Sequence, residues 1–202
     1  MGTLSLCAAN IATLCLRRES QNWEVTDSTV QPVAIRAARL ADAEGIREIY
    51  NYEVLNGTST FDIEPRSLAA QRSWLQDRSG VHAVLVATPD GDDDTVIGYA
   101  SLSPFHTRPA YNTTVENSVY VHVDHRGRGV GRALLAEIIG LAQSHGFHTV
   151  IARISGKNEA SVAVHRSAGF DVVGIEREVG RKFGHWLDVT VMQLMLRDWS
   201  GP

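Results

Sequence analysis

The chain has 202 residues, enough for one domain with a sizeable core and too few for two comfortable ones. A net charge of −4, from 19 Lys and Arg against 23 Asp and Glu, excludes a general nucleic-acid binder, whose surface should be basic. No apolar run approaches the roughly 20 residues that span a bilayer, so no membrane partner is expected. Both cysteines, Cys7 and Cys15, fall near the N-terminus, leaving neither a disulfide framework nor a metal cluster beyond them, which fits a cytoplasmic protein without a metal.

Residues 1–32 read as a loosely attached extension. Their apolar stretch, 4–16, lacks a basic leader and a small-residue cleavage site before Arg17-Arg18, and a packed terminal helix is the other reading. The domain is expected over 33–198. A strand at 34–39 leads to a helix at 41–56, with Ile46, Ile49, Tyr50 and Val54 on one face and Gly57 as its stop. Residues 58–65 are turn-like and carry Phe61, a candidate substrate wall or an ordinary core aromatic. A short helix at 67–77, a strand at 82–88, an acidic hairpin turn at 89–94 and a return strand at 96–102 follow. The acidic run reads as a solvated turn.

Residues 103–114 hold two prolines, two aromatics and an arginine, and read as a loop of the kind that carries binding residues on a rigid scaffold. The strand around Val119, Tyr120 and Val121 then enters Arg126-Gly127-Arg128-Gly129-Val130-Gly131-Arg132, and a helix over 130–145 with Leu134, Ile138 and Leu141 at helical spacing stops at Gly146. A strand at 149–154, a helix at 159–168 capped by Asn158, and two strands at 170–179 and 186–196 around a basic aromatic turn complete the chain. Strands first in a meander and later separated by helices give an α/β fold, a mixed central sheet of about six or seven strands with helices on both faces.

The stretch from 118 to 135 organises the rest. Glycines at 127, 129 and 131 let backbone N–H groups approach a ligand, and the first helical turn adds unpaired donors at a positive dipole end, which suits a phosphate. The loop is one residue too short for Gly-x-Gly-x-x-Gly and lacks the Lys-Ser/Thr of a Walker loop. It resembles the acetyl-CoA pyrophosphate loop of the GCN5-related N-acetyltransferase superfamily.

Two further residues suit amine acetylation. Glu116 lies between Val115 and the apolar 119–121 run, surroundings that raise a carboxyl pKa toward that of a useful base; a strand-edge glutamate facing water is the plainer reading. His165 lies seven positions after Asn158, nearly two turns on at about 3.6 residues per turn, so the two share a helix face. An imidazole there suits acid chemistry at neutral pH, while a structural histidine is the alternative.

Four segments together, Thr114-Val-Glu-Asn-Ser-Val-Tyr-Val121, His125 to Leu135, Asn158 to Phe170, and Arg177 to Asp188, resemble the phosphinothricin and methionine sulfoximine N-acetyltransferase family. The resemblance implies an acetyl-CoA co-substrate with its pantetheine arm along Val119, Tyr120 and Val121, its pyrophosphate on Arg126, Gly127, Arg128, Gly129, Val130, Gly131 and Arg132, and a contact from Asn158. It implies Glu116 as base through water and His165 assisting at the thiol or amine. Substrate contacts would come from Phe61, His106, Thr107, Arg108, Glu116, Asn117 and Ser118, with Arg108 available for a substrate carboxylate. It also implies a homodimer, with residues 181–188 near the partner. The N-terminal extension and Val123, where the family often has proline, depart from the pattern.

The expected function is acetyl-CoA-dependent N-acetylation of the α-amino group of a small amino-acid-like compound, by direct attack on the thioester, since no cysteine or activated serine sits in the motifs. The alternatives are acetylation of protein or peptide amines and a non-catalytic acetyl-CoA-binding domain.

Overall fold

A computed structural model describes residues 33–78 and 80–196. The expectations for residues 1–32, and for the end of the domain at 197–198, lie outside the described residues. Seven strands form one sheet: β1 (Val33–Ala37), β2 (Val84–Pro89), β3 (Gly98–Pro104), β4 (Thr114–Val121), β5 (Thr149–Ser155), β6 (Asp171–Lys182) and β7 (His185–Met195), in the order β1-β2-β3-β4-β5-β7-β6. Every pair is antiparallel except β4 and β5. Among the described residues four α-helices cover it: α1 (Ala43–Asn56), α2 (Leu68–Gln76), α3 (Val130–Ser144) and α4 (Glu159–Ser167).

Side-chain alternation divides the core in two. Val84, Val86 and Tyr99 meet Ile46, Ile49, Tyr50 and Val54 of α1 and Leu75 of α2 on one face. Ala87, Ala100, Leu102 and Val115 meet Leu134, Leu135 and Ile138 of α3 on the other, with Val162 and Val164 of α4 beside them. Successive strand residues point to opposite faces, so each inner strand must be apolar on both. The helix starts are fixed locally: Ser67 Oγ accepts from the Ala70 N–H at 3.1 Å, and Asn158 Oδ1 from the Ser161 N–H at 3.0 Å.

Two turns differ from the expectation. The acidic turn is more than solvated, because Asp93 accepts from Arg36 Nε at 2.6 Å and Arg39 at 2.7 Å and so fastens the β2–β3 hairpin to the first strand. The last hairpin is tighter than a six-residue turn. Gly180, Arg181 and Lys182 pair with Leu187, Trp186 and His185, and the chain reverses over Phe183 (φ 50°) and Gly184 (φ 80°). Two consecutive positive φ values match the right-handed twist of a two-residue hairpin. Phenylalanine is an uncommon residue for that conformation, so the sequence marks a turn here but not its two-residue length.

Candidate active site

The parallel pair β4–β5 stays together only from Thr114↔Thr149 to Asn117↔Ala152. Beyond that rung, Ser118, Val119, Tyr120 and Val121 remain paired to β3, while Arg153, Ile154 and Ser155 follow β7. Each strand keeps the twist of its own half of the sheet, and a wedge opens between them. A cavity of about 620 Å³ fills this wedge, running from the turn before α3, past Val119, Tyr120 and Val121, to Asn117 and α4. The strand edge facing it is a ladder position that a ligand amide can occupy.

At the mouth, Gly127 and Gly129 take the left-handed backbone (φ 73° and 84°) that turns the chain into α3. Ala133 is the first helical donor, to the Gly129 carbonyl at 3.0 Å, so the amides of Val130, Gly131 and Arg132 precede the helical bonding. Gly131 is different. A Cβ there would meet only the Val121 side chain, at 3.5 Å, an ordinary contact. Nothing in the chain itself requires a glycine at this point, and the space it leaves belongs to the cavity. That opening, the bare amides, and Arg126 and Arg132 on the wall fit the diphosphate of acetyl-CoA.

The other wall is acidic. Glu53, on α1 and 4% exposed, accepts a short hydrogen bond from the Arg126 guanidinium, which also donates through Nε to the Val121 carbonyl at 3.2 Å. Buried Lys182 donates to the carbonyls of Glu53 (3.1 Å) and Thr60 (2.9 Å), tying the end of α1 and the following loop to β6.

At the closed end, His165 is 5% exposed, and both its ring nitrogens are engaged. Nδ1 lies 2.8 Å from the Ser161 carbonyl, and Nε2 lies 3.1 Å from Asn117 Nδ2. Burial holds its pKa below the ordinary histidine value, against the smaller upward pull of the Ser161 hydrogen bond. Both ring nitrogens are thus taken up by partners within the chain, the Ser161 carbonyl and the Asn117 amide.

A second, smaller cavity of about 110 Å³ opens on the α1–α2 face. Its walls are Tyr50, Trp74, Tyr99 and Tyr120, and two guanidinium groups face it: Arg66 lies 3.7 Å from the Tyr50 ring centre, and Arg78 lies 4.0 Å from that of Trp74. Arg78 donates to Ser103 Oγ at 3.1 Å, while its Nε is buried with no partner among the described residues. Burial pulls its pKa down, and nearby Arg66 adds to the effect. Ser118 and Tyr120 line both cavities, so the two meet at the middle of β4.

Glu116 lines neither cavity. It lies two residues before Ser118 on the same face of the strand, about 7 Å along at the usual rise. Burial raises its carboxyl pKa, Arg153 opposes the shift and Glu176 adds to it; Arg153 is itself bridged to Glu176 at 2.5 Å.

Most of the residues expected at the cofactor do line the larger cavity, as do Asn117, Ser118, Asn158 and His165. The exceptions have local causes. Arg128 is exposed outside the lining and the Val130 side chain is in the core, whereas Asn158 lines the cavity with its Oδ1 engaged in capping α4. Phe61 lies on Gly180 of β6, where a Cβ would collide with its ring, and Ser59 of the same loop faces the cavity instead. His106, Thr107 and Arg108 are exposed and outside both cavities, in a loop whose Phe105, His106 and Tyr111 rings pack edge-on or tilted against one another.

Residues 35–191 match the model of the family described as Acetyltransferase (GNAT) domain. The chain belongs to the GNAT acetyltransferase family. This acetyltransferase is 40% identical over 171 residues to the L-amino acid N-acyltransferase MnaT of Escherichia coli K12, covering 84% of the chain and 98% of the relative. It is 41% identical over 164 residues to the L-methionine sulfoximine/L-methionine sulfone acetyltransferase of Pseudomonas aeruginosa PAO1, covering 81% and 94%. Its fold matches the GNAT superfamily phosphinothricin acetyltransferase of Sinorhizobium meliloti, solved in complex with AcCoA, with a TM-score of 0.78 at 38% identity over 83% and 90% of the two chains.

Three residues that line the two cavities were not singled out from the sequence. Glu53 had a signal: it falls on the apolar stripe of α1, three residues after Tyr50, where a charge is anomalous. Arg66 and Arg78 had none, being twelve positions apart on either side of α2 and brought together only by its packing.

Proposed function

We propose that this acetyltransferase transfers the acetyl group of acetyl-CoA to the α-amino group of a small amino-acid-like substrate of the methionine sulfoximine or phosphinothricin type. In this reading it works in the cytoplasm as a homodimer. The observation that carries the substrate class is the meeting of the two cavities at Ser118 and Tyr120: a diphosphate cradle on one side, and on the other a small aromatic chamber with two arginines. A chamber of about 110 Å³ suits an amino acid rather than a polypeptide, and Arg78, with an unpartnered buried Nε, is suited to the substrate carboxylate. The relatives named for amino-acid acetylation support the same class.

Acetyl-CoA supplies the activated acetyl group. Arg78 and Arg66 anchor the carboxylate end of the substrate, which turns the amine toward Ser118 and the thioester. The amine nitrogen bonds to the acetyl carbon as the carbon–sulfur bond breaks. Of the two protons the ammonium loses, one passes through a water to Glu116, whose spacing from Ser118 leaves room for that water, and the other neutralises the departing thiolate. The homodimer is supported by an apolar surface on β6 and β7: Val173 and Trp186 are each 61% exposed, with Ile175, Val179 and Phe183 also exposed.

Replacing Arg78 tests the substrate assignment. Arg78→Ala should raise KM for the amino acid by about tenfold or more, the scale of a lost charge-assisted hydrogen bond, with KM for acetyl-CoA unchanged. An unchanged amino-acid KM removes Arg78 from the substrate site.

A further inference from the structure

The bonds around His165 determine what Asn117 offers to the cavity. The Ser161 carbonyl, 2.8 Å from His165 Nδ1, can only accept, so Nδ1 carries a proton. Nε2 faces Asn117 Nδ2 at 3.1 Å, a group that can only donate, so Nε2 is the bare, accepting nitrogen. Asn117 thus turns its NH₂ to the histidine. That leaves Asn117 Oδ1, an acceptor, buried without a hydrogen-bond partner among the described residues, on a residue that lines the larger cavity at the last paired rung of β4 and β5. A buried acceptor with no donor is costly, and a ligand donor removes the cost.

The strand alternation says which ligand. Asn117 faces the α3–α4 side, whereas the chamber with Arg66 and Arg78 lies on the α1–α2 side. The donor it meets therefore belongs to the cofactor and not to the incoming amine.

We propose that His165 is a positioning residue acting through Asn117, which it holds with Oδ1 toward the pantetheine arm to accept the amide N–H nearest the thiol. This rests on the reading of the larger cavity as the acetyl-CoA site. His165 then transfers no proton. Its ring is the template that fixes an amide, and Ser161 fixes the ring.

Two measurements test it on the full chain. Long-range proton–nitrogen NMR of the unligated protein reads the His165 tautomer directly. The expected result is a protonated Nδ1 with a bare Nε2 at neutral pH, and either the opposite tautomer or an imidazolium overturns the relay. Calorimetric titration with coenzyme A then compares variants whose folding is verified by circular dichroism. Asn117→Leu and His165→Leu should each weaken binding by about tenfold, the scale of one hydrogen bond, and the double variant should be no weaker than either. His165→Gln, which keeps an acceptor near Nε2 but no titratable proton, should bind within about twofold of the parent. A glutamine variant as weak as the leucine variant, or a double variant about a hundredfold weaker, contradicts the proposal. Should a leucine variant fail to fold, the tautomer and the glutamine variant decide. Loss of the amine reading alone would appear as tight coenzyme A binding without turnover, and leaves both measurements readable.

Discussion

Glu53 and Arg126 join across the mouth of the larger cavity, a buried carboxylate on α1 bonded to a half-exposed guanidinium of the glycine turn. The pair links α1 to the glycine turn and neutralises a negative charge that a diphosphate bound in the proposed cradle would otherwise meet. Arg126→Ala leaves Glu53 buried without its partner and should lower unfolding stability by about 1–3 kcal/mol, less than for a fully buried pair because solvent reaches the arginine. Adding Glu53→Gln should restore most of that stability while acetyl-CoA binding stays about tenfold weaker. Denaturant melts and cofactor titration read the two effects separately, and a double variant as unstable as Arg126→Ala alone would show that the ion pair carries no such linkage.

Gly131 gives a cleaner test of the cradle than Gly129. Any side chain at Gly129 is strained by φ of 84°, so lost binding there is confounded with lost folding. At Gly131 the chain has room for a Cβ, 3.5 Å from Val121, and a larger side chain extends into the cavity. Gly131→Leu should keep its melting temperature within a few degrees and lose acetyl-CoA binding by about a hundredfold. Retained binding counts against the cradle.

Glu116→Gln should lower kcat by about 10² or more with little change in acetyl-CoA affinity, the usual scale for a general base. Burial raises this carboxyl above its ordinary 4.5, and Arg153 opposes the shift. The acid limb of kcat/KM should therefore inflect above 4.5, move higher in Arg153→Ala and vanish in Glu116→Gln. A limb that persists in the glutamine variant belongs to another group.

His165 sets a pH dependence of stability. Its folded pKa lies below the ordinary 6.5, because burial disfavours the charged ring. As pH falls below 6.5 the unfolded chain takes up a proton that the folded chain refuses, so stability from this group is full above 6.5, declines below it, and levels off once the folded pKa is passed. The acid-side loss of stability should be smaller in His165→Gln than in the parent. Equal slopes in the two proteins assign the loss to other groups.

Short-range features were legible in the sequence. The apolar stripe of Ile46, Ile49, Tyr50 and Val54 forecast α1, the glycines forecast the turn into α3, and Asn158 forecast the start of α4, since each depends on residues within a turn or two. The wedge between β4 and β5 was not legible, because it depends on which distant strand each residue pairs with beyond Asn117. Arg108 stands out in the sequence because it lies in a proline- and aromatic-rich loop, whereas Arg78, which follows α2 with no motif around it, reaches the smaller cavity only through packing. The spacing of Asn158 and His165 puts both on the cavity side of α4, while the Asn117 amide that meets His165 Nε2 lies 48 residues away and no local pattern marks it.

The central claim is that a diphosphate cradle and an arginine-lined chamber meet at β4 to acetylate an amino acid. The direct measurement is thiol release from acetyl-CoA by the purified chain, with methionine sulfoximine, phosphinothricin and a peptide amine in turn, the products weighed by mass spectrometry. The account predicts release and an N-acetylated product with one or both amino-acid compounds and none with the peptide. Turnover of the peptide alone, or no thiol release with any of the three, contradicts it.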